Sequence, residues 1–222
     1  MGLRGREGQS SPLRFLAYVS DSKLDMLLGQ IDKPAKKSIA AELKVDIKLV
    51  ALTLVSSTAD RSLRERSQAA KLKVAERYLR RRDQIGDLSS TSGWVAADAE
   101  MDWNALDDET ILFCGHAADV LVVLGGSVSN LLGSLPSRGQ LGSHPPAIRA
   151  AITAAIGGQG ATGRPDIGRE LQAAAEAICV TPQQVHFLAW IISCGVLDGG
   201  SPYRAYIMAT PLYVQPISAI ST

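Results

Sequence analysis

The stretch that decides the fold prediction is V-L-V-V-L-G-G-S-V-S-N-L-L-G-S, residues 120–134. Five apolar residues run without interruption into two glycines and a serine, and a short amphipathic segment follows. This order is typical of a buried strand, a tight turn and the start of a helix. We therefore place a strand at the centre of the predicted fold and a chain reversal directly after it.

The Gly125-Gly126-Ser127 corner predicts a position at which an anion can bind. Gly125 or Gly126 can adopt the positive φ that a strand-to-helix turn often needs, and Ser127 can cap the helix. Free backbone amides and the helix dipole favour phosphate or carboxylate there. The spacing matches neither G-x-G-x-x-G nor G-x-x-x-x-G-K-[ST], so neither nucleotide fingerprint is met. A capped turn without a ligand is the alternative interpretation.

A second polar turn, Ser20-Asp21-Ser22-Lys23, follows a strand predicted over residues 13–19. Many α/β proteins bind ligands at the carboxyl ends of strands, so Ser20, Asp21 and Lys23 are candidate ligand-binding residues. If both strands end at the same edge of the sheet, the two turns face one pocket. In the alternative interpretation, Asp21 caps the following helix and Lys23 is solvated.

Composition and charge exclude several classes of protein. The chain has 222 residues, of which 46% are hydrophobic, and this is sufficient for one sizeable core. The net charge of +1 gives no strong field that would steer the protein to nucleic acid or anionic lipid. Cys114, Cys179 and Cys194 are odd in number and far apart, which is typical of a reducing compartment. With no recognisable signal peptide or membrane span, we expect a cytoplasmic protein without a membrane partner.

The pattern along the chain predicts one folded domain. We expect a disordered N-terminus over residues 1–12, a single domain over 13–216 and a tail over 217–222. The predicted fold class is α+β, or α/β, with a mixed sheet of about five or six strands and helices packed on it. A helical segment over residues 145–195 is expected to cover one face of that sheet.

Individual segments give this prediction its detail. Apolar and polar residues alternate after Glu42, which predicts a strand over residues 42–55. Two apolar runs, Ile111–Cys114 and Val120–Leu124, are joined by a short loop and predict an antiparallel hairpin. The spacing of apolar residues from Val185 to Ile192 predicts a helix that begins at Thr181-Pro182. A last strand over residues 203–214 contains Pro211, which predicts an edge position or a bulge.

Four landmarks that occur in order along the chain resemble those of a protein family. They are F-L-A-Y-V-S-D-S-K-L-D-M-L-L (15–28), A-A-E-L-K-V-D-I-K-L-V-A-L-T-L (40–54), L-V-V-L-G-G-S-V-S-N-L-L-G (121–133) and A-T-P-L-Y-V (209–214). Together they are similar to an uncharacterised actinobacterial family, a domain of unknown function marked by S-D-x-K-x-D-M-L, L-G-G-S and T-P-L-Y-V. The resemblance implies one domain whose first and last strands belong to a single unit. It carries over no activity, cofactor or catalytic residue.

No constellation in the sequence identifies a catalytic centre or a metal site. Cys114 and His116 are metal ligands in type, but the chain has none of the tight cysteine pairs of a structural zinc site, so we expect no metal. Gly125-Gly126-Ser127 resembles the G-x-S-x-G nucleophile elbow but lacks its last glycine, and a helix cap is the favoured role of Ser127. Catalytic residues and cofactors stay unassigned.

These observations favour a non-enzymatic module that binds a small anionic or nucleotide-like ligand, or a partner protein, in a regulatory role. The alternative is a hydrolase or transferase that acts on a phosphorylated small molecule, with Asp21 or His116 as its acid or base. A third possibility is an interaction scaffold that uses the basic helix end, Arg77–Arg82. The expected partner is a protein encoded by a neighbouring gene, and a nucleic-acid partner is not expected.

Overall fold

A computed structural model describes residues 16–51, 61–106, 108–132, 171–172, 175–176, 181–197 and 200–217. These ranges contain seven strands, which in chain order are β1 (Tyr18–Val19), β2 (Ile85–Gly86), β3 (Trp94–Ala105), β4 (Thr110–Ala117), β5 (Val120–Ser127), β6 (Gln183–Val196) and β7 (Ala205–Pro216). The same ranges contain four α-helices with defined bounds, which are α1 (Asp21–Gln30), α2 (Lys33–Glu42), α3 (Ile47–Ala51) and α4 (Arg61–Arg81).

Five of the strands close on themselves as a barrel. Antiparallel pairing joins β3 to β4, β4 to β5, β3 to β6 and β6 to β7, and parallel pairing joins β5 to β7. The ring therefore runs β3-β4-β5-β7-β6 and back to β3, and closure of this kind removes the free edges of a sheet. Outside the ring, β1 pairs antiparallel with β7 and β2 pairs parallel with β3.

The fold is thus mostly β, and the prediction of an α+β or α/β domain with a mixed sheet of five or six strands and packed helices is wrong. The decisive segment is the one predicted as a helix from Thr181-Pro182, because it forms β6. Since β6 pairs with both β3 and β7, this one strand turns a sheet with two ends into a ring.

The helical segment expected over residues 145–195 is accordingly wrong over residues 183–195, which belong to β6 (Gln183–Val196). Alternate residues of β6 enter the barrel core, and these are Val185, Phe187, Ala189 and Ile191. Residues two apart share one face of a strand, whereas a helix would place them on different sides. Within the earlier part of the predicted segment, the described residues 171–172 and 175–176 are helical.

The strand predicted over residues 42–55 is also wrong in its described part. The segment contains the end of α2, a turn and α3. Lys44 in the turn has a φ of +52°, a left-handed conformation that no pleated strand contains. Asp46 then accepts a hydrogen bond from the backbone N–H of Lys48 at 2.9 Å, at the start of α3. The apolar alternation comes from two helix ends that face one core, not from a pleat.

Other sequence predictions are confirmed. The central hairpin forms, with Thr110 opposite Ser127 at its open end and Ala117 opposite Val120 at its turn. The basic segment Arg77–Arg82 lies at the end of a helix as expected, since α4 ends at Arg81. The register between β6 and β7 shifts near Pro211, so that residue lies at a bulge.

The described part of the core has three layers. The barrel interior is filled by large side chains that include Tyr18, Phe113 and Phe187. A second layer lies between the outer wall of the barrel and the four helices. A third layer covers the outer face of β4 and β5, where Leu171 and Ala175 pack. Burial of one large apolar side chain contributes about 1.5–3 kcal/mol to folding, so these layers hold β1 and β5 in place.

Some expectations fall outside the described residues. These are the disordered N-terminus, residues 1–12, and all of the expected tail except Ile217. The extent of the single domain, 13–216, stays a prediction. Among the helices in the described ranges, none combines the length and the apolar character that a membrane crossing requires.

Candidate functional site

The β1–α1 turn is held against β7 by backbone hydrogen bonds. The N–H of Ser20 donates to the carbonyl of Leu212 at 2.9 Å, and the N–H of Leu24 donates to the carbonyl of Ser20 at 3.0 Å. Ser20 is 1% exposed and occupies the position before α1, but its side chain makes no capping hydrogen bond to the helix. Its hydroxyl oxygen instead lies 3.4 Å from that of Ser22. The first turn of α1 is therefore not capped by the Ser20 side chain.

Asp21 is the first residue of α1 and ties this helix to α4. Its Oδ1 accepts a hydrogen bond of 2.6 Å from the Nε2 of Gln68, a residue that is itself buried. The alternative in which Asp21 is the cap of the helix is wrong, because Ser20 occupies that position. The Asp21 carboxylate thus contributes to the packing of two helices, and it adds negative charge beside the start of α1.

Lys23 is the one candidate whose side chain reaches back to the barrel. Its Nζ donates to the carbonyl oxygen of Pro211 at 3.2 Å, and the side chain is half-buried. Burial lowers the pKa of Lys23 from its ordinary value of 10.5, because desolvation disfavours the ammonium form. Within the described ranges, no carboxylate forms an ion pair with Lys23. Lys23 is therefore only partly solvated, and the alternative of a solvated Lys23 holds in part.

The Gly125-Gly126-Ser127 corner is not the turn that the sequence predicts. All three residues belong to β5, and neither glycine has a positive φ. Ser127 precedes a three-residue 3-10 turn, and its hydroxyl accepts a hydrogen bond from the N–H of Ser129 at 3.3 Å. A turn of this length offers no helix dipole of consequence, so the predicted anion site at the start of a helix is absent here.

Tyr18 explains the glycine at position 126. A β-carbon there would lie 2.5 Å from the Tyr18 hydroxyl, and that hydroxyl accepts hydrogen bonds from the N–H of Ser127 at 3.3 Å and from the Nδ2 of Asn130 at 3.2 Å. The glycine is required by the close approach of a side chain and not by backbone conformation. It also follows that the amide of Ser127 already has a partner.

The two predicted turns do flank the same short segment of β7. The pairing of β5 with β7 ends at Leu124 opposite Ala209, and the contacts of β1 begin at Leu212. Thr210 and Pro211 lie between these two contacts. Of the two glycines in β5, only Gly125 lies on the outer face of the barrel wall. Gly126 faces Tyr18 in the barrel interior. The structure thus brings Ser20, Lys23 and Gly125 to one region and separates Gly126 from it.

An apolar groove of about 240 Å³ lies on the outer wall at this point. Its lining includes Leu112, Val123, Gly125, Ile192, Met208 and Thr210. No local sequence pattern predicts this groove, because it forms where β5 and β7 lie side by side and where β6 bulges at Ile192. The exposed fraction of Ile192, 37%, marks the open side of the groove.

A second polar cluster lies on the outer face of β3. Nδ1 of His186 is 2.6 Å from Oδ1 of Asp98, Nε2 of His116 is 3.6 Å from Oε2 of Glu100, and Nε2 of Gln184 donates to Glu100 at 2.9 Å. The alternation A-A-D-A-E in β3 is the signal that could have placed these carboxylates on one face. In the described part of the chain, no group of three or more His, Cys, Asp and Glu side chains is arranged to hold a metal ion.

The groups proposed for catalysis do not converge. Ser127 and His116 lie at opposite ends of the β4–β5 hairpin, since Ser127 pairs with Thr110 and His116 pairs with Leu121. Six strand positions separate the two rows, which is roughly 20 Å at about 3.4 Å per residue. His116 therefore cannot act as a base for Ser127.

The basic end of α4 is used inside the molecule. Arg77 and Arg81 both pair with Glu42 at the end of α2, and Arg80 pairs with Glu76. Arg82 lies over the ring of Tyr78, with its guanidinium carbon 5.2 Å from the ring centre. The two pairs with Glu42 join α2 to α4, and the contacts of Arg80 and Arg82 stay with α4 itself. These contacts weaken the scaffold hypothesis for this surface.

Comparison with known proteins adds the family. Searches of the curated proteins and of the solved structures found no significant match to the chain. A scan against protein families found one described as a family of unknown function (DUF7019), which matches residues 14–217. The matched range includes every strand and helix described above. The chain therefore belongs to this family of unknown function, DUF7019.

Proposed function

We propose that the protein is a non-enzymatic module that binds a small anionic ligand at the β1–α1 turn. The observation that carries the proposal is the Lys23 ammonium, which is half-buried and held by the Pro211 carbonyl, with no carboxylate partner among the described residues. A partly desolvated cation without a counter-charge is stabilised when an anion binds beside it. Ser20, Asp21 and Gly125 contribute the walls and polar groups of the site.

Two further features of the β1–α1 turn favour the binding of an anion. Because the Ser20 side chain does not cap α1, the first N–H groups of a ten-residue helix point towards the turn without that partner. The positive end of the helix dipole adds to the charge of Lys23. The negative charge of the Asp21 carboxylate opposes the positive field of Lys23 and the helix dipole, but this carboxylate accepts a hydrogen bond from Gln68 of α4.

Gly126 and Ser127 enter this proposal only as support for β5. Both are in contact with Tyr18, so they shape the end of the strand that carries Gly125. The chemistry of the proposed site thus depends on Ser20 and Lys23. The nucleotide-like ligand suggested by the sequence becomes one anion among several to test.

The direct test is ligand-induced thermal stabilisation. A ligand that binds only the folded protein raises the melting temperature. Inorganic phosphate, acetate and a nucleoside monophosphate are titrated into the wild type, Lys23→Met and Lys37→Met, since Lys37 is an exposed lysine on α2. We expect at least one anion to stabilise the wild type and Lys37→Met but not Lys23→Met. Absence of stabilisation by all three, or equal stabilisation of Lys23→Met, would contradict the proposal.

The source, the cellular location and the partner of the protein are proposed from the sequence alone. The landmarks that resemble an actinobacterial family support that source, and the odd number of distant cysteines supports a cytoplasmic location. A regulatory role with a partner encoded by a neighbouring gene is consistent with a binding module. Co-purification of the protein with the products of adjacent genes tests this partner.

A further inference from the structure

The apolar groove and the Lys23 ammonium lie next to each other along β7. Thr210 lines the groove, and the following residue, Pro211, accepts the hydrogen bond from Lys23. Bond geometry places the Pro211 oxygen about 6 Å or less from the Thr210 Cα. The ammonium, 3.2 Å from that oxygen, is therefore within about 9 Å of the groove wall.

We propose that the ligand is an amphipathic monoanion, a straight-chain carboxylate whose headgroup pairs with Lys23 and whose tail lies in the groove. This inference rests on the proposed function, because it uses the same cation. The groove is lined by apolar residues that include Leu112, Val123 and Met208. A small inorganic anion would leave this apolar surface uncovered, whereas the tail of a longer carboxylate would cover it.

The charges at the turn favour one negative charge over several. Lysine is a single point charge, whereas di- and triphosphates are usually held by several cations or by the fork of arginine. The basic end of α4 comes nearest to such a cluster of cations. Its Arg77 and Arg81 are already paired with Glu42. Asp21 at the same turn also disfavours a multiply charged group.

The size of the groove favours a short tail. A volume of about 240 Å³ is somewhat below the usual range of pockets for small molecules. Gly125 forms part of its floor, and a β-carbon at that position would meet only the Leu112 side chain, at 3.8 Å. The space above Gly125 is therefore available to a ligand, and a larger side chain at position 125 would fill it.

The test is calorimetric titration with acetate, butyrate, hexanoate and octanoate. Each methylene that enters the groove should tighten binding by up to about fourfold, so the dissociation constant should fall along the series. Lys23→Met should weaken binding of octanoate at least tenfold. Gly125→Leu should abolish the dependence on tail length, so that this variant binds octanoate no more tightly than it binds acetate. Ile192→Ala, which is at an exposed position, should weaken octanoate several-fold and provides a second variant if Gly125→Leu does not fold.

The outcomes separate this inference from the proposed function. Equal affinity for acetate and octanoate would overturn the amphipathic ligand and leave the anion site intact. Failure of every carboxylate, of inorganic phosphate and of the nucleoside monophosphate to bind would overturn both. Tight octanoate binding that neither Lys23→Met nor the two groove variants change would place the site elsewhere and overturn the inference.

Discussion

The hydroxyl of Tyr18 occupies the space where a side chain on Gly126 would begin. A β-carbon on Gly126 would lie 2.5 Å from the hydroxyl oxygen and 2.7 Å from the adjacent ring carbon. Tyr18 is fully buried, so the ring has little room to move. The strands β1 and β5 therefore pack closely against each other at this one glycine.

The first prediction concerns this contact. Gly126→Ala should lower the free energy of unfolding by about 1–3 kcal/mol, because overpacking at a buried site displaces its neighbours. Gly125→Ala is the matched control, since its new methyl group meets only Leu112 at an ordinary distance of 3.8 Å. Urea denaturation of both variants measures the difference. Equal stability of the two variants would show that Tyr18 is not tightly held against β5.

The second prediction concerns the turn of the β4–β5 hairpin. Ala118 has a φ of +52°, which costs an alanine about 1–2 kcal/mol relative to glycine. Ala118→Gly should therefore raise the free energy of unfolding, by up to about 1 kcal/mol after the greater flexibility of glycine in the unfolded chain is included. Ala117→Gly, in the adjacent buried strand position, should lower it. A destabilised Ala118→Gly would mean that the turn adopts another conformation.

The third prediction is a pH dependence. The hydrogen bond from Arg77 is the main cause that lowers the pKa of Glu42, and Arg81 adds to it. A carboxylate with a lowered pKa in the folded state contributes stability above its unfolded value, near 4.5, and loses it as the pH falls through the folded value. The advantage of the wild type over Glu42→Gln should be constant at neutral pH and disappear in acid. Urea titrations at pH 7, 5, 4 and 3 measure it.

Added salt should reduce the same advantage, because the two arginines and Glu42 are partly exposed to solvent. An advantage that increases below pH 4 would contradict the assignment of this pair. Arg80→Gln is a useful comparison, since Arg80 pairs within α4 and does not contact Glu42.

The sequence predicts the central hairpin correctly because its pattern has one interpretation. β4 and β5 are apolar runs separated by a short loop. The closure of the barrel was missed, because the segment from Val185 to Ile192 fits the periods of both a helix and a strand. Its aromatic and β-branched residues, which include Phe187, Trp190 and Ile191, favour a strand, and this composition was the signal that could have decided it.

The candidate site could also be predicted only in part from the sequence. Ser20, Asp21 and Lys23 could be selected because polar residues follow a strand. The structure places Ser20 and Lys23 beside β7, whereas Asp21 is bonded to Gln68 of α4. The partner of Lys23 is a carbonyl 188 positions away along the chain, which no local pattern reveals. The reason for a glycine at position 126 could not be predicted either, since it depends on the ring of Tyr18, which belongs to the distant strand β1.

An anion site at Lys23 is tested best by the pKa of its side chain with and without an anion, determined by NMR on the side-chain nitrogen or Cε. We expect a pKa below 10.5 in the free protein, because burial disfavours the ammonium form, and a rise in this pKa when acetate is added at constant ionic strength. Lys37 serves as the internal reference and should not respond. A Lys23 that titrates at the same pH in both conditions would contradict the claim that this cation receives an anionic ligand.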